Sequence, residues 1–594
     1  MYLPKINVIE RSEIVTDTFG GYINRLKVGD GYWNRTGGTT LDEYPLAASR
    51  APRGTLEELE EPQALLGKGA LAWVSKGVLY YNRMSVTLPG GVMLDPDGEK
   101  QLIGMGAYIC IFPDKVYWNT QDGTDAGYME AHWSAEIAEG SNIQYKPCRM
   151  DGSVYEDVYI GDTEPEEPES GDYWLDTSED SHTLKVYQGY TSTWVSIPTV
   201  FTRIECAGIG KQFSQYDGVE ISGAEYSGML ESMPEQVAGI NGTKLIYAKG
   251  DDWIVVQALI DAAFEQTTGT IKVDRNVPDM DFIVESENRL WGCKYGLVNG
   301  MTVNELYACK LGDFKNWRCY AGVSTDSYAV SLGSDGVFTG AITYQGSPHF
   351  FKENAIHKVY GNLPSNYQVV TSDVRGVQKG SAKSLAIVSG TLYYKSPVDI
   401  VEYDGSAPNG ISDALGSVRY SNAVAGAWNG RYVISMDRAD GEPELFIYYP
   451  RLSMWMRDSS TRLQYAAHIG EELYTVDAAD RLWCMSGAEG EPETEIEWEY
   501  ETGLQGWEYV RKKYVSRYNI RLKMAEGATA EAFLQYNSNG VWKSAAKLTG
   551  NGKTGTQHMF VIPRRCDHLK MRIAGKGRVE ILSISRILEQ ASDL

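Results

Sequence analysis

Few side chains in this sequence have the type and spacing that chemistry asks for. There are seven histidines: His132, His182, His349, His357, His468, His558 and His568. None stands in an H-E-x-x-H or H-x-H pattern, the spacings that aim two imidazoles at one metal. His349 and His357 fall at the two ends of one expected hairpin and read as structural. The eight cysteines are Cys110, Cys148, Cys206, Cys293, Cys309, Cys319, Cys484 and Cys566. They include no C-x-x-C pair and read as buried, reduced thiols. Asp95 and Asp97 open a segment like a calcium loop, but the later acidic ligands and the closing glutamate are missing, so a plain turn is expected. Hydrolysis of a glycosidic bond needs two carboxylates held across a cleft. Asp281, Glu285, Asp313 and Asp326 are candidates only as members of an acid-rich sequence. No G-x-S-x-G elbow, P-loop or G-x-G-x-x-G precedes a helix. The expectation is a protein without enzymatic activity and without a cofactor.

Two groups of residues suit binding. Trp174, Tyr187 and Trp194 lie in an aromatic-rich stretch, either stacking on a glycan or partner or forming the core of a small hairpin. The basic residues Arg511, Lys512, Lys513, Arg517, Arg521, Arg564 and Arg565 contrast with an acidic remainder. They serve either subunit contacts or a solvated strand face.

The elements that position these groups read as strands almost throughout. Met280–Tyr344 alternates short apolar runs with turns rich in Gly, Asn and Asp, residues that tolerate the backbone angles of tight turns. No clean helical period runs through it. The same grammar recurs at Ala70–Asn82, Gly106–Asn119, His349–Asn362, Ser384–Ser396, Ala423–Met436 and Ala466–Met485. Spacings of roughly 35 to 50 residues fit four-stranded propeller blades. The fold class expected is all-β: a β-propeller of about six or seven blades, an inserted β-rich domain and a C-terminal jelly-roll-like β-sandwich. In outline, residues 1–55 form an N-terminal arm that closes a later sheet or reaches a neighbouring subunit. Residues 56–120 are the first propeller strands and 121–275 the inserted domain, with a short helix at Asp261–Gln266. Within the insert, 160–171 is acidic and proline-rich, a solvated linker. Residues 276–490 are the main propeller and 491–594 the sandwich. Asn537–Trp542 is faintly like a turn of sialidase propellers but lacks that motif's Asp and Thr and lies outside the blades.

Composition agrees with this. The chain has 594 residues, 39 of them Tyr and 62 Gly, a strand- and turn-rich profile. The net charge of −24 disfavours binding to phosphate backbones or anionic lipid by bulk charge. No run of about 18 apolar residues occurs, so no membrane span is expected, and the N-terminus does not read as a signal peptide.

Several motifs together carry a resemblance. Phe19–Gly20–Gly21 with Tyr44–Pro45–Leu46 and Pro52–Arg53, then Asn288–Lys294, Asn304–Trp317, Ser324–Tyr328, Phe338–Ile342, Phe350–Lys352 and Arg564–His568, are similar to a family of virion structural proteins. Phages and prophages of Gram-positive gut bacteria encode that family. Gly171–Asp176 with Thr193–Val195 resembles a short module of phage tail proteins. The resemblance implies a tail nozzle or hub subunit in the virion, made in the host bacterial cytoplasm and assembled as a homo-oligomeric ring. Its partners would be other tail or neck proteins and the passing genome DNA, held without specific binding. The alternative is a tail protein that binds host surface glycan through the aromatic insert or the sandwich.

Overall fold

A computed structural model describes residues 11–25, 27–137, 142–506, 513–552, 555–564 and 566–590. Seven antiparallel sheets of four consecutive strands, or their equivalent, form a ring of blades. They are blade 1 (62–85), blade 2 (101–128), blade 3 (282–331), blade 4 (340–372), blade 5 (386–410), blade 6 (420–459) and blade 7 (463–484). The first strands of successive blades face one another around the axis, and that of blade 7 meets that of blade 1.

A strand pair buries little by itself, so each blade needs a neighbour on both faces. The apolar residues supply it at every joint. Val74 and Leu79 pack on Ile109 and Trp118 between blades 1 and 2. Cys110 and Phe112 meet Ile283 and Leu290 between blades 2 and 3. Trp291 and Leu306 meet Phe350 and Val359, and Phe351 and Ile356 meet Leu392 and Tyr403. Tyr393 and Ile400 join Tyr432 and Phe446. Val433 meets Leu473. Val476 and Leu482 close the ring on Leu71 and Trp73. At this last joint Gly67 lies so close to the partner strand that a Cβ would stand 2.0 Å from the carbonyl oxygen of His468. Cys110, Cys293, Cys309 and Cys484 serve as small apolar residues in these interfaces.

Blade 7 takes its outer strand from the other end of the chain. Gly54–Glu58 pairs antiparallel with Arg481–Cys484. A strand borrowed across the sequence locks the ring, because opening it costs a full ladder of hydrogen bonds.

The segment expected to be an arm is therefore built into its own chain. Arg11–Thr16 pairs with Val579–Gln590, Trp33–Gly37 with Glu497–Thr502, and Ala47–Ser49 with Val579–Gln590. These strands complete the C-terminal sandwich of a six-stranded and a five-stranded sheet. Within this chain these strands close a later sheet, one of the two readings of the arm. Thr529–Tyr536 shows the alternation the sandwich requires, burying Ala530, Ala532, Leu534 and Tyr536. The core joins Tyr518, Leu522 and Ile573 with Val433, Leu445 and Met456 of blade 6, so sandwich and propeller share apolar contacts. Beside them Asp458, fully buried, accepts from Arg53 at 2.7 Å and lies 3.1 Å from the Arg50 guanidinium. Burial opposes its charge, yet Arg53 and Arg50 hold its carboxyl below the usual range.

Residues 131–275 are inserted between blades 2 and 3 as one eight-stranded sheet around Ile204, Ile246, Ile254 and Val273. Its one helix among the described residues is Met233–Ala238, which buries Met233 and Val237. The helix expected at Asp261–Gln266 is absent. Phe264–Gln266 is a strand, because Phe264 stacks on Tyr145 at 4.4 Å and pairs with it across the sheet. A smaller four-stranded module, 158–196, sits within the insert. The acidic stretch 162–172 connects two parallel strands of that module, Val158–Gly161 and Tyr173–Asp176.

Candidate functional site

The chain enters the first strand of each blade at the same mouth of the propeller, so the residues just before those strands converge. Six of the seven blades contribute to a funnel there of about 860 Å³. Its apolar wall is Phe282, Tyr295, Phe338 and Tyr465, and its polar rim carries Glu99, Asp281, Lys383, Asp437 and Arg462.

Geometry fixes each charge. Lys383, from the turn before blade 5, donates to Glu99, before blade 2, at 2.8 Å. In a ring of seven these blades stand across the axis, so the pair bridges the mouth. Lys383 also lies 3.9 Å from the Tyr465 ring centre and donates to the Gln464 carbonyl at 3.0 Å. A cation over a ring face is attracted by its quadrupole. Burial, reinforced by Glu99 and Asp480, pushes the Tyr465 phenol up, so its hydroxyl remains a donor. Asp437 accepts from Arg462 at 2.8 Å and from Asn422 at 3.2 Å. Asp281 accepts from Lys294 at 2.9 Å and from the Tyr295 amide at 2.9 Å. Blades 3 and 6 also stand opposite, so Asp281 and Asp437 face the space from two sides. Below Tyr295 and Phe338, Lys352 lies 5.0 and 4.7 Å from their ring centres. It donates to Asn304 at 2.9 Å and Ser334 at 2.8 Å, and burial lowers its pKa.

Flat aromatic faces beside ion-paired carboxylates and amides suit a polyhydroxylated ligand. Sugar C–H faces stack on rings while hydroxyls bridge charged acceptors and donors. Among the described residues no group of three or more His, Cys, Asp and Glu is placed to hold a metal.

Of the carboxylates named from the sequence, only Asp281 reaches the funnel. Asp313 accepts from Asn316 at 2.6 Å, Glu285 from the Asn288 amide at 2.8 Å, and Asp326 from the amides of Ala321, Gly322 and Val323. These close turns. Glu99, Lys383, Asp437, Arg462 and Tyr465 were not singled out. Their signal is a phase, a position at the entry to a blade's first strand or at the mouth end of its second, visible only once blade boundaries are known. His349 and His357 are buried in blade 4, where burial pushes both down to about 4.

The aromatic trio stays together on the small module. Trp174 is buried beneath its partners, its ring 5.4 Å from Trp194 and 4.6 Å from the Lys185 ammonium, with its Nε1 donating to the Gly161 carbonyl. Tyr187 and Trp194 pair across strands at 5.2 Å and are half-buried. Of the basic stripe, Arg511, Lys512 and Arg565 lie outside the described residues, as does the Lys513 side chain. Arg564 is exposed and lies 4.4 Å from the Tyr536 ring centre.

No protein-family model matches the sequence, and no curated protein matches it. Solved structures do. An exo-β-1,3-galactanase of Phanerochaete chrysosporium with galactose is 10% identical, covering 50% of this chain and 94% of its own, with a TM-score of 0.21. A Trypanosoma rangeli sialidase is 10% identical, covering 69% of this chain and 94% of its own, at 0.22. An engineered GH43 glycoside hydrolase with xylanase and arabinofuranosidase activities is 9% identical, covering 52% and 97%, at 0.20. The likeness is one of propeller fold. It overturns two expectations. The structures this chain resembles are carbohydrate-active enzymes and not virion components, so the tail nozzle or hub reading, with its ring and DNA channel, is withdrawn. The expectation of no enzymatic activity is withdrawn with it. No helix among the described residues is long and apolar enough to cross a membrane.

Proposed function

We propose that this is a carbohydrate-active propeller protein that takes a glycan into its axial funnel. The observation that carries the reading is the funnel itself. Four aromatic side chains and three carboxylates, drawn from blades far apart in sequence, line one cavity of about 860 Å³. A volume of that size accepts two or three sugar rings.

Hydrolysis of a glycosidic bond is the reaction these carboxylates support. Asp281 and Asp437 stand on opposite sides of the cavity, as an acid and a base must. Asp281 is paired with Lys294 and Asp437 with Arg462; one would give a proton to the glycosidic oxygen as the C–O bond breaks, and the other would take a proton from the water that attacks the sugar carbon. Lys383 and Glu99 bridge the mouth and would part, or lend hydroxyl partners, as a glycan enters.

The test is direct. The purified chain is titrated with a panel of neutral and acidic oligosaccharides by calorimetry, and the same mixtures are assayed for newly released reducing ends. Binding that is lost in Tyr465→Ala, and turnover that is lost in Asp281→Asn and Asp437→Asn with folding intact, is the result expected. A panel in which nothing binds at millimolar concentration removes the proposal.

A further inference from the structure

A second cavity, of about 670 Å³, lies where three parts of the chain meet. The small module contributes His182, Thr183 and the segment 196–200, the eight-stranded insert contributes Lys244 and Leu259, and the blade 3 loop contributes Tyr320. It shares no lining residue with the funnel.

The two cationic or potentially cationic groups here are treated differently by the fold. His182 is fixed. Its Nδ1 lies 2.6 Å from an oxygen of Asp261, whose carboxylate is buried. Ser232 donates to the same oxygen at 2.5 Å and Gln236 to the other at 2.7 Å, while the Asp261 amide donates back to Gln236 at 2.9 Å. Two side-chain hydrogen bonds hold the carboxylate, a third fixes the Asp261 backbone, and the carboxylate holds one ring. With Nδ1 engaged, Nε2 is the nitrogen left for a ligand. Lys244 is the opposite case. It lines the cavity, half-buried, and has no ion pair among the described residues. Burial alone lowers its pKa. A partly desolvated ammonium without a counter-ion is costly, and a bound anion relieves the cost. Leu184, Ile197, Val200 and Leu259 supply an apolar wall.

We infer that this junction binds a small organic carboxylate, with Lys244 donating to the acid group, the apolar wall meeting its body, and His182 adding an Nε2–H donor in its imidazolium form, backed by Asp261. An acidic sugar such as a uronate is one member of the class, and a short-chain keto acid is another. The site goes beyond the funnel reading and does not depend on it.

Calorimetric titration of the full chain with glucuronate, pyruvate and acetate tests it. At least one should bind, and Lys244→Met should weaken it about tenfold or more, the scale of one charge-assisted hydrogen bond. Lys244→Arg and the funnel variant Tyr465→Ala should retain binding, with thermal midpoints confirming that each variant folds. Failure of all three probes to bind overturns the inference. So does binding that survives Lys244→Met, or that Tyr465→Ala abolishes, since the latter assigns the ligand to the funnel.

Discussion

Acid should loosen blade 4 before it affects most of the molecule, and His357 is the place to see it. Its ring is fully buried between Ser334, 3.0 Å from Nε2, and Thr371, 2.9 Å from Nδ1. Burial, helped by nearby Lys352 and opposed by Asp373, moves its pKa from 6.5 to about 4. The sign follows from proton counting. Above pH 6.5 the imidazole is neutral in both folded and unfolded chains and contributes nothing. As pH falls from 6.5 towards 4 the unfolded chain takes up a proton that the folded chain refuses, so the folded state loses ground. At pH 5 that penalty is about 2 kcal/mol for one such residue, at 1.36 kcal/mol per unit. Replacing His357 with Gln keeps hydrogen-bonding capacity and removes the titration. Denaturant unfolding of the wild type and the variant at pH 7 and pH 5 measures the difference. The variant, somewhat weaker at pH 7, should lose about 2 kcal/mol less on acidification. Parallel losses in the two proteins would refute the reasoning, because they would mean that the buried ring titrates as it does in water.

Other expected outcomes follow from named contacts. Asp458→Ala takes away the carboxylate that Arg53 donates to, while Arg50 keeps Glu493, and should cost about 3–5 kcal/mol in chemical unfolding. Gly67→Ala sets a methyl 2.0 Å from the His468 carbonyl where blades 7 and 1 meet, so the thermal midpoint should fall by several degrees; an unchanged midpoint would mean that the joint is loose. Tyr465→Ala removes a funnel wall and should weaken glycan binding about tenfold, or roughly 1.4 kcal/mol, by calorimetry. Trp194→Ala uncovers the buried Trp174, so its first effect should be on the module's stability, read as faster proteolysis within 158–196.

The blades were legible because their signal is local. Runs such as Ala70–Asn82 and Ser384–Ser396 carry strand, turn and strand within about a dozen residues, and the turn residues report backbone angles directly. The funnel was not legible because it is assembled from single residues at the entries of six blades. Glu99 and Lys383 are neighbours only after the ring closes. The arm was read as a segment that needed docking, but its target could not be named. Its strands pair with residues more than 400 positions away, and no local pattern encodes such a partner. The aromatic module illustrates a different limit. Trp174 and Trp194 have the same residue type and similar surroundings in sequence, yet the pleat buries one and leaves the other half in solvent.

Residues 11–58 leave the ribosome several hundred residues ahead of the strands they pair with. The last of those strands ends at Gln590, so at 5–20 residues per second the segment waits roughly half a minute to two minutes for it. Through that interval the unpaired backbone edges of this segment are exposed to other nascent chains. Synthesis rate and chaperone supply, more than the strength of the finished fold, should therefore govern how much of this protein a cell recovers in native form.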